Sequence, residues 1–150
     1  YEQCMFLKEK SKFTNMKVLF VCWGNAYRSI VAEALLKKFR PDWRVESAGI
    51  NPAGFISDLA EQFLAEENAE KYMKHFPESL EEKRLTEYDI IVVMEEKLRH
   101  MVVERCPSCA GKVIAWNIQD PYFLPREHAQ RIFEEIKRKV LELANSVGSS

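Results

Sequence analysis

A short stretch of the sequence combines a thiol, a guanidinium and a hydroxyl. Cys22 ends the apolar run VLFVC, Arg28 follows six positions later, and Ser29 stands directly after it. A cysteine thiolate is a strong nucleophile, and the planar guanidinium of arginine fits two oxygens of a phosphate group. The stretch therefore predicts nucleophilic attack on a bound phosphate ester.

The turn WGNAY between Cys22 and Arg28 leads from a predicted strand into a predicted helix. Free backbone amides in such a turn, together with the positive end of a helix dipole, bind an anion. The same field favours the thiolate form of a cysteine at that place. We expect Gly24 to supply the backbone angles that a tight loop requires, and Ser29 to donate a hydrogen bond to the sulfur.

Asp120, in the segment NIQDPYF, is the candidate proton donor. A carboxylic acid can protonate the oxygen that leaves phosphorus, and it can later take a proton from the water that releases the phosphate. None of His75, His100 and His128 stands where it could serve instead.

The surrounding segments predict strands that alternate with helices. Short β-branched runs are typical of strands buried on both faces of a parallel sheet, and these are Val18–Cys22, Asp89–Met94 and Lys112–Trp116. The alternating segment Trp43–Ser47 is a weaker, peripheral strand, and helical periods begin near Arg28 and cover Ser57–Glu66, Glu95–Arg105 and the apolar stripe from Ala129 to Ala144. We predict an α/β domain with helices on both faces of the sheet, and a site at the carboxyl ends of its strands, where Cys22 and Asp120 fall.

The composition predicts one domain and excludes several kinds of partner. The chain has 150 residues, enough for a full hydrophobic core, and its 22 basic and 23 acidic residues favour neither nucleic acid nor an anionic membrane. No apolar run is long enough to span a membrane and no signal peptide is recognisable, so we expect a soluble, cytoplasmic monomer. Residues 1–15 are predicted to be an extension or an expression remnant, residues 16–146 the domain and residues 147–150 a flexible tail. The charged run Glu61–Lys83 is interpreted as a solvated surface.

The four cysteines are too few and too unevenly spaced for a disulfide scaffold, so thiols are expected. The pair Cys106-Pro-Ser-Cys109 could be half of a zinc site, a redox pair or a structural turn. Zinc needs four ligands and a second pair is absent, so we predict no metal and a structural turn that could be oxidised to a disulfide. This turn should lie far from Cys22, because the helix before it runs back towards the opposite edge of the sheet.

Four motifs together resemble one known family, the low-molecular-weight protein tyrosine phosphatases. They are VLFVCWGNAYRSIVAEALL, SAG at Ser47–Gly49, YDIIVVME at Tyr88–Glu95 and DPYF at Asp120–Phe123, and the resemblance covers Lys17 to about Ala144. It implies a four-stranded parallel sheet flanked by helices, a Rossmann-like arrangement of three layers. It also implies hydrolysis of phosphotyrosine in a protein, or of a small aryl phosphate, through a phosphocysteine intermediate and without a cofactor, with inorganic phosphate as product.

The resemblance implies a role for each residue of the motifs. Cys22 would be the nucleophile, Arg28 would hold the phosphate, and Asp120 would be the general acid and base. Asn25 and Ser29 would support the loop and the thiolate. The residues implied at the substrate site are Trp23, Gly24, Asn25, Ala26, Tyr27, Ser29, Tyr122 and Phe123, and Phe55 is a further candidate for an aromatic wall.

Other interpretations fit parts of the pattern. Arsenate reductases that use thioredoxin share this fold and loop, but they pass oxidation along a chain of cysteines, and here Tyr27 stands where the nearest relay thiol would be. A non-catalytic module that binds phosphotyrosine would need neither the nucleophile Cys22 nor the proton donor Asp120. Taken singly, a cysteine that ends a strand is often a buried apolar residue, and an Asp-Pro pair is often only a turn.

Two residues depart from the family pattern. The family usually has a second cysteine directly before the arginine, where this chain has Tyr27, and a proline after the serine, where it has Ile30. Proline is favoured early in a helix but is not required there, so Ile30 should have little effect on the chemistry.

Peroxide treatment is predicted to leave Cys22 without a disulfide partner. A neighbouring thiol can trap an oxidised cysteine as a reversible disulfide, and Tyr27 removes that neighbour. Cys22 should therefore go to other oxidation products, which peptide mass analysis of the treated protein will identify. A disulfide between Cys22 and another cysteine would refute the prediction.

Overall fold

The computed structural model describes residues 15–121 and 124–146. Its strands are β1 (Lys17–Cys22), β2 (Arg44–Gly49), β3 (Ile90–Val93) and β4 (Val113–Ala115). Its α-helices are α1 (Arg28–Phe39), α2 (Asp58–Glu66), α3 (Glu96–Arg105) and α4 (Arg126–Ser146), and its short 3-10 helices are Glu70–Tyr72, Leu80–Glu82, Leu85–Glu87 and Pro107–Lys112. Each predicted strand and helix is confirmed, with bounds that shift by a few residues. Of the sequence predictions, those on Tyr122, Phe123, residues 1–14 and residues 147–150 lie outside the described residues.

The strands form one parallel sheet in the order β2-β1-β3-β4. Cys22, the last residue of β1, stands opposite Gly49, the last residue of β2, and Val21 stands opposite Val93 at the end of β3. Because the strands are parallel, their carboxyl ends meet at one edge of the sheet, and Cys22 lies at that edge. The predicted four-stranded parallel sheet is confirmed.

Alternate residues of β1 enter two separate cores on the two faces of the sheet. Phe20 and Cys22 belong to the larger core, which also contains side chains of α1, α2 and α4. Leu19 and Val21 belong to the smaller core, with side chains of α3. All four are buried, so the absence of polar alternation in β1 follows from helices that cover both faces. The predicted three-layer arrangement is confirmed.

The two outer strands show one confirmed and one wrong prediction. Trp43–Ser47 was expected to be peripheral, and β2 is an edge strand. β4 was expected to be buried on both faces, but it is the other edge strand, and the side chain of Ile114 is 41% exposed. Only one face of β4 is covered there, with Val113 in the smaller core.

Cys106, directly before the 3-10 helix that precedes β4, forms a disulfide with Cys109 in that helix, so the expectation of thiols is wrong for these two cysteines. This position is at the amino end of β4, whereas Cys22 lies at the carboxyl end of β1. The predicted structural turn far from Cys22 is therefore confirmed, and Cys22 is the one cysteine of the described ranges that is not in a disulfide. None of the helices in these ranges is long and apolar enough to cross a membrane.

Candidate active site

The β1–α1 loop, residues 23–27, is fastened to the segment that follows β2. The carbonyl groups of Cys22, at the end of β1, and of the loop residues Trp23, Gly24 and Ala26 accept backbone hydrogen bonds of 2.9 to 3.2 Å. The donors are the amides of Ile50, Asn51, Ala53 and Ser57, respectively. Within the part of the chain that the structure describes, no backbone bond uses the amide of Gly24, Ala26 or Tyr27 as a donor. Paired carbonyl groups and free amides are the backbone arrangement that favours anion binding, and anion binding at this loop stays a prediction.

The unusual backbone angle of the loop belongs to Asn25. Its φ is 51°, in the left-handed region, which asparagine tolerates better than most residues do. Gly24 has no left-handed φ, and a Cβ at this position would make an ordinary contact of 3.7 Å with the Cβ of Ala53. The prediction that Gly24 supplies the unusual backbone angle is therefore wrong, because the left-handed angle belongs to the following residue, Asn25.

Gly49 allows the end of β2 to approach the loop closely. A Cβ at this position would lie 2.8 Å from the amide nitrogen of Asn25 and 2.9 Å from both the carbonyl carbon of Gly24 and the oxygen of Trp23. These atoms belong to the backbone, so they cannot give way as a side chain could. Gly49 has no role among the sequence predictions, although a glycine at the end of a strand, in the SAG motif, is a signal that could have indicated this close approach.

Two groups contact the sulfur of Cys22 as hydrogen-bond donors, and a third bond orients one of them. The amide of Asn25 donates to the sulfur at 3.1 Å, and the hydroxyl of Ser29 lies 2.9 Å from it. The Nδ2 of Asn25 donates to the same hydroxyl oxygen at 2.8 Å. Because that oxygen accepts from Asn25, the hydrogen of Ser29 is free to point at the sulfur, and the arrangement favours a negative charge there.

Lys74 sets the orientation of the Asn25 side chain. Its ammonium donates to Oδ1 of Asn25 at 3.0 Å, and the backbone amide of Glu78 donates to the same oxygen at 2.8 Å. Both groups can only donate, so Nδ2 must face the hydroxyl groups of Ser29 and Ser47. Lys74 therefore fixes the donor-to-acceptor direction of the hydrogen-bond chain that runs through Asn25 and Ser29 to Cys22.

Lys74 is held by acidic partners and is only 10% exposed. Its ammonium lies 2.7 Å from Glu78 and 3.8 Å from the buried Glu33. The interpretation of this charged run as solvated surface is wrong for Lys74. Its sequence neighbours carry no signal for burial, because the lysine is enclosed only when its segment folds over the β1–α1 loop.

Arg28 is buried at the start of α1 and is fixed by two acceptors. One nitrogen donates to Glu95 at 2.7 Å and to the carbonyl oxygen of Ile118 at 2.9 Å, and another lies 3.6 Å from Oδ2 of Asp120. Partial burial of Glu95 acts to raise its pKa, but the hydrogen bond and charge of Arg28, with a smaller effect of Lys97, hold that pKa below its usual value. Glu95 is thus a carboxylate at neutral pH and orients the guanidinium.

A cavity of about 490 Å³ brings the predicted chemical groups together. It is lined by Cys22, Trp23, Gly24, Ala26, Tyr27, Arg28, Ala53, Phe55, Ser57, Asp58, Leu59, Asp120, Pro121 and Leu124. Trp23, Phe55 and Asp120 are exposed at this cavity, whereas Cys22 and Arg28 are buried. The side chains of Asn25 and Ser29, predicted at the substrate site, are instead buried outside the lining, where they support the sulfur.

Tyr27 ties the β1–α1 loop to α4. Its hydroxyl donates to the carbonyl oxygen of Ala129 at 3.0 Å. Its ring packs edge-on against the ring of Phe63, with 6.5 Å between the ring centroids. Burial raises the pKa of Tyr27 well above its usual value, so the side chain is a neutral hydrogen-bond donor. No group of three histidine, cysteine or acidic side chains in residues 15–121 and 124–146 is placed to hold a metal ion.

Nearly the whole sequence matches one family of known proteins. The family model for low molecular weight phosphotyrosine protein phosphatase matches residues 17–150. The chain belongs to this family. It is thus a phosphatase enzyme, and the family and enzyme class predicted from the motifs are confirmed.

Relatives from several bacteria cover almost the full length of the domain. The Wzb phosphatase of Salmonella typhimurium is 30% identical over 141 residues, which are 89% of this chain and 95% of the relative. The Ptp phosphatase of Acinetobacter johnsonii is 33% identical over 125 residues, or 79% and 85% of the two chains.

Two solved structures have the same fold. Vibrio vulnificus Wzb in complex with benzylphosphonate has a TM-score of 0.78 at 27% identity, over 88% of this chain and 99% of that one. The YwlE arginine phosphatase from Geobacillus stearothermophilus has a TM-score of 0.78 at 29% identity, over 87% and 92%. The domain and these relatives therefore share one α/β architecture.

Replacement of Gly49 by alanine should displace the β1–α1 loop. The added Cβ would press on backbone atoms of Gly24 and Asn25, and overpacking of this kind costs about 1–3 kcal/mol. Urea unfolding will measure the change in the free energy of unfolding. Gly111→Ala is the matched control, because a Cβ there meets no atom within 4 Å. Equal stability of the two variants would contradict the close approach.

Replacement of Lys74 by methionine should destabilise the protein. The change removes the cation between Glu33 and Glu78 and leaves Oδ1 of Asn25 with one donor fewer, at a cost on the order of 3 kcal/mol. Urea unfolding provides the measurement. Lys139→Met, at a half-buried lysine of α4, is the control, and a similar small change in both variants would show that Lys74 does not organise the network.

Proposed function

We propose that the protein hydrolyses phosphate monoesters of tyrosine and other aryl groups through a phosphocysteine intermediate on Cys22. One observation carries the proposal: a sulfur with two hydrogen-bond donors, Ser29 and the amide of Asn25, shares a cavity with the guanidinium of Arg28 and the carboxyl group of Asp120. These are the groups that a metal-free displacement at phosphorus requires.

In the first step the thiolate of Cys22 attacks phosphorus in line with the aryl oxygen. The S–P bond forms as the P–O bond to the aryl group breaks. The free amides of the β1–α1 loop and the guanidinium of Arg28 hold the other phosphate oxygens. Because these donors are already in position, little reorganisation is needed as negative charge shifts in the transition state.

Asp120 handles the proton in both steps. It donates its proton to the departing aryl oxygen and becomes a carboxylate 3.6 Å from Arg28. In the second step a water molecule gives its proton to Asp120 and attacks phosphorus, the S–P bond breaks, and phosphate leaves with Cys22 again a thiolate. The exposed position of Asp120 lets it reach both the leaving group and water.

An aryl substrate is supported by the shape of the cavity. Trp23 is 41% and Phe55 is 74% exposed, and both line it, so flat apolar faces stand above a polar floor. The relatives from Salmonella typhimurium and Acinetobacter johnsonii are protein tyrosine phosphatases, and Wzb from Vibrio vulnificus was solved with benzylphosphonate, whereas YwlE is an arginine phosphatase. A cytoplasmic location and a monomeric state stay predictions from the sequence.

Removal of the thiol or of the carboxyl group should stop or slow turnover. Cys22→Ser should reduce hydrolysis to background. Asp120→Asn should lower kcat on a phosphotyrosine peptide by about 10²–10⁴-fold, because proton transfer contributes that much. The loss should be smaller on p-nitrophenyl phosphate, whose leaving group needs little protonation. Steady-state kinetics on both substrates, with mass analysis of the Cys22 peptide after acid quenching for a phosphoryl group, provides the measurement.

Controls separate this function from its alternatives. A chelator should leave turnover unchanged, whereas phosphate and vanadate should compete with the substrate. Full activity of Cys22→Ser would contradict the mechanism. Hydrolysis of phosphoarginine but not of phosphotyrosine would contradict the proposed substrate and agree with the proposed mechanism. Reduction of arsenate with thioredoxin would contradict the proposed function.

A further inference from the structure

Asp58 brings a second carboxylate to the wall of the cavity. It is the first residue of α2 and follows Ser57, whose amide donates a 2.9 Å hydrogen bond to the carbonyl oxygen of Ala26 in the β1–α1 loop. Asp58 is exposed and lines the same cavity as Cys22. The backbone next to Asp58 is therefore held against the β1–α1 loop. The position of the Asp58 carboxylate relative to Cys22 varies only with the rotation of its own short side chain.

Asp58 has no basic partner among the residues that line the described cavity. Among the described residues that line the cavity, Arg28 is the only lysine or arginine, and its guanidinium is engaged by Glu95 and Asp120. No ion pair joins Asp58 to another residue of the described ranges. A substrate bound in the cavity thus meets one negative charge on the wall formed by α2.

We propose that Asp58 binds a lysine or arginine side chain next to the phosphorylated residue, so that phosphopeptides with basic flanking residues are preferred substrates. This inference rests on the proposed function, because it needs the phosphate on the floor beside Cys22. A phosphate held there directs the peptide backbone out past Trp23 and Phe55, and its neighbouring side chains lie along the cavity wall. A basic neighbour is attracted by Asp58, and an acidic neighbour is repelled.

Asp58 also has a general reason to stand where it does. Acidic residues in the first turn stabilise a helix through its dipole, and α2 has two of them, Asp58 and Glu61. Of the two, Asp58 lines the cavity and Glu61 does not, although Glu61 is also exposed. Variants of the two residues can therefore distinguish an effect on substrate preference from an effect on the stability of the helix.

The test compares two phosphotyrosine peptides that differ only in having lysine or glutamate on either side of the phosphotyrosine. The ratio of their kcat/KM values should favour lysine by about threefold to tenfold in the native protein. Asp58→Asn should bring the ratio close to one, Asp58→Lys should invert it, and Glu61→Gln should leave it unchanged. Because each ratio is taken within one variant, a general loss of activity cancels.

A salt series on the native protein gives a second measurement that needs no variant. Partly exposed charges are screened by salt, so the preference for lysine should shrink as sodium chloride is raised from about 0.05 to 0.5 M. The inference is overturned if the native ratio is close to one, if it does not change with salt, or if Glu61→Gln lowers it as much as Asp58→Asn does. Failure of the native protein to hydrolyse either peptide or p-nitrophenyl phosphate would instead overturn the proposed function.

Discussion

The carboxamide of Asn25 can satisfy its neighbours in only one orientation, and the electrostatics of the site depend on that orientation. Lys74 and the amide of Glu78 can only donate, so they fix which end of the carboxamide accepts. The other end then donates to Ser29, whose hydrogen is left to point at Cys22. A cation buried behind the loop thereby acts on the sulfur through a chain of oriented hydrogen bonds, which strengthen one another in a medium of low dielectric constant.

The second constraint is the set of backbone bonds between the β1–α1 loop and residues 50–57. Carbonyl groups of the loop are paired, and the residues that carry its free amides line the cavity. The same bonds attach the segment that carries Phe55, and the start of α2, to the loop, so backbone contacts set where these residues stand relative to the cavity floor. This arrangement requires a glycine at position 49, because the Cβ of any other residue would collide with the backbone of the loop.

Tyr27 gives this family member a different link between the loop and the rest of the domain. A neutral phenol, donating to a carbonyl of α4, takes the place of a thiol. The segment that carries Asp120 leads into α4 in the sequence. The side chain of Tyr27 therefore connects the β1–α1 loop to the helix that follows Asp120. Within the described ranges, the remaining cysteines are joined to each other at the amino end of β4, whereas Cys22 lies at the carboxyl end of β1.

Local patterns determined the strand, turn and helix around Cys22, the parallel sheet, and the position of Asp120 at the same edge. Apolar runs and helical periods are properties of neighbouring residues, and parallel strands always bring their carboxyl ends together. The edge position of β4, the left-handed angle at Asn25 and the burial of Lys74 were decided only by the tertiary structure. Lys74 and Asn25 are 49 positions apart, and nothing near Lys74 in a charged run distinguishes it from a solvated lysine. Its role exists only because the folded chain excludes most water around it and leaves the Asn25 side-chain oxygen, the Ser47 carbonyl oxygen and two carboxylates as its partners.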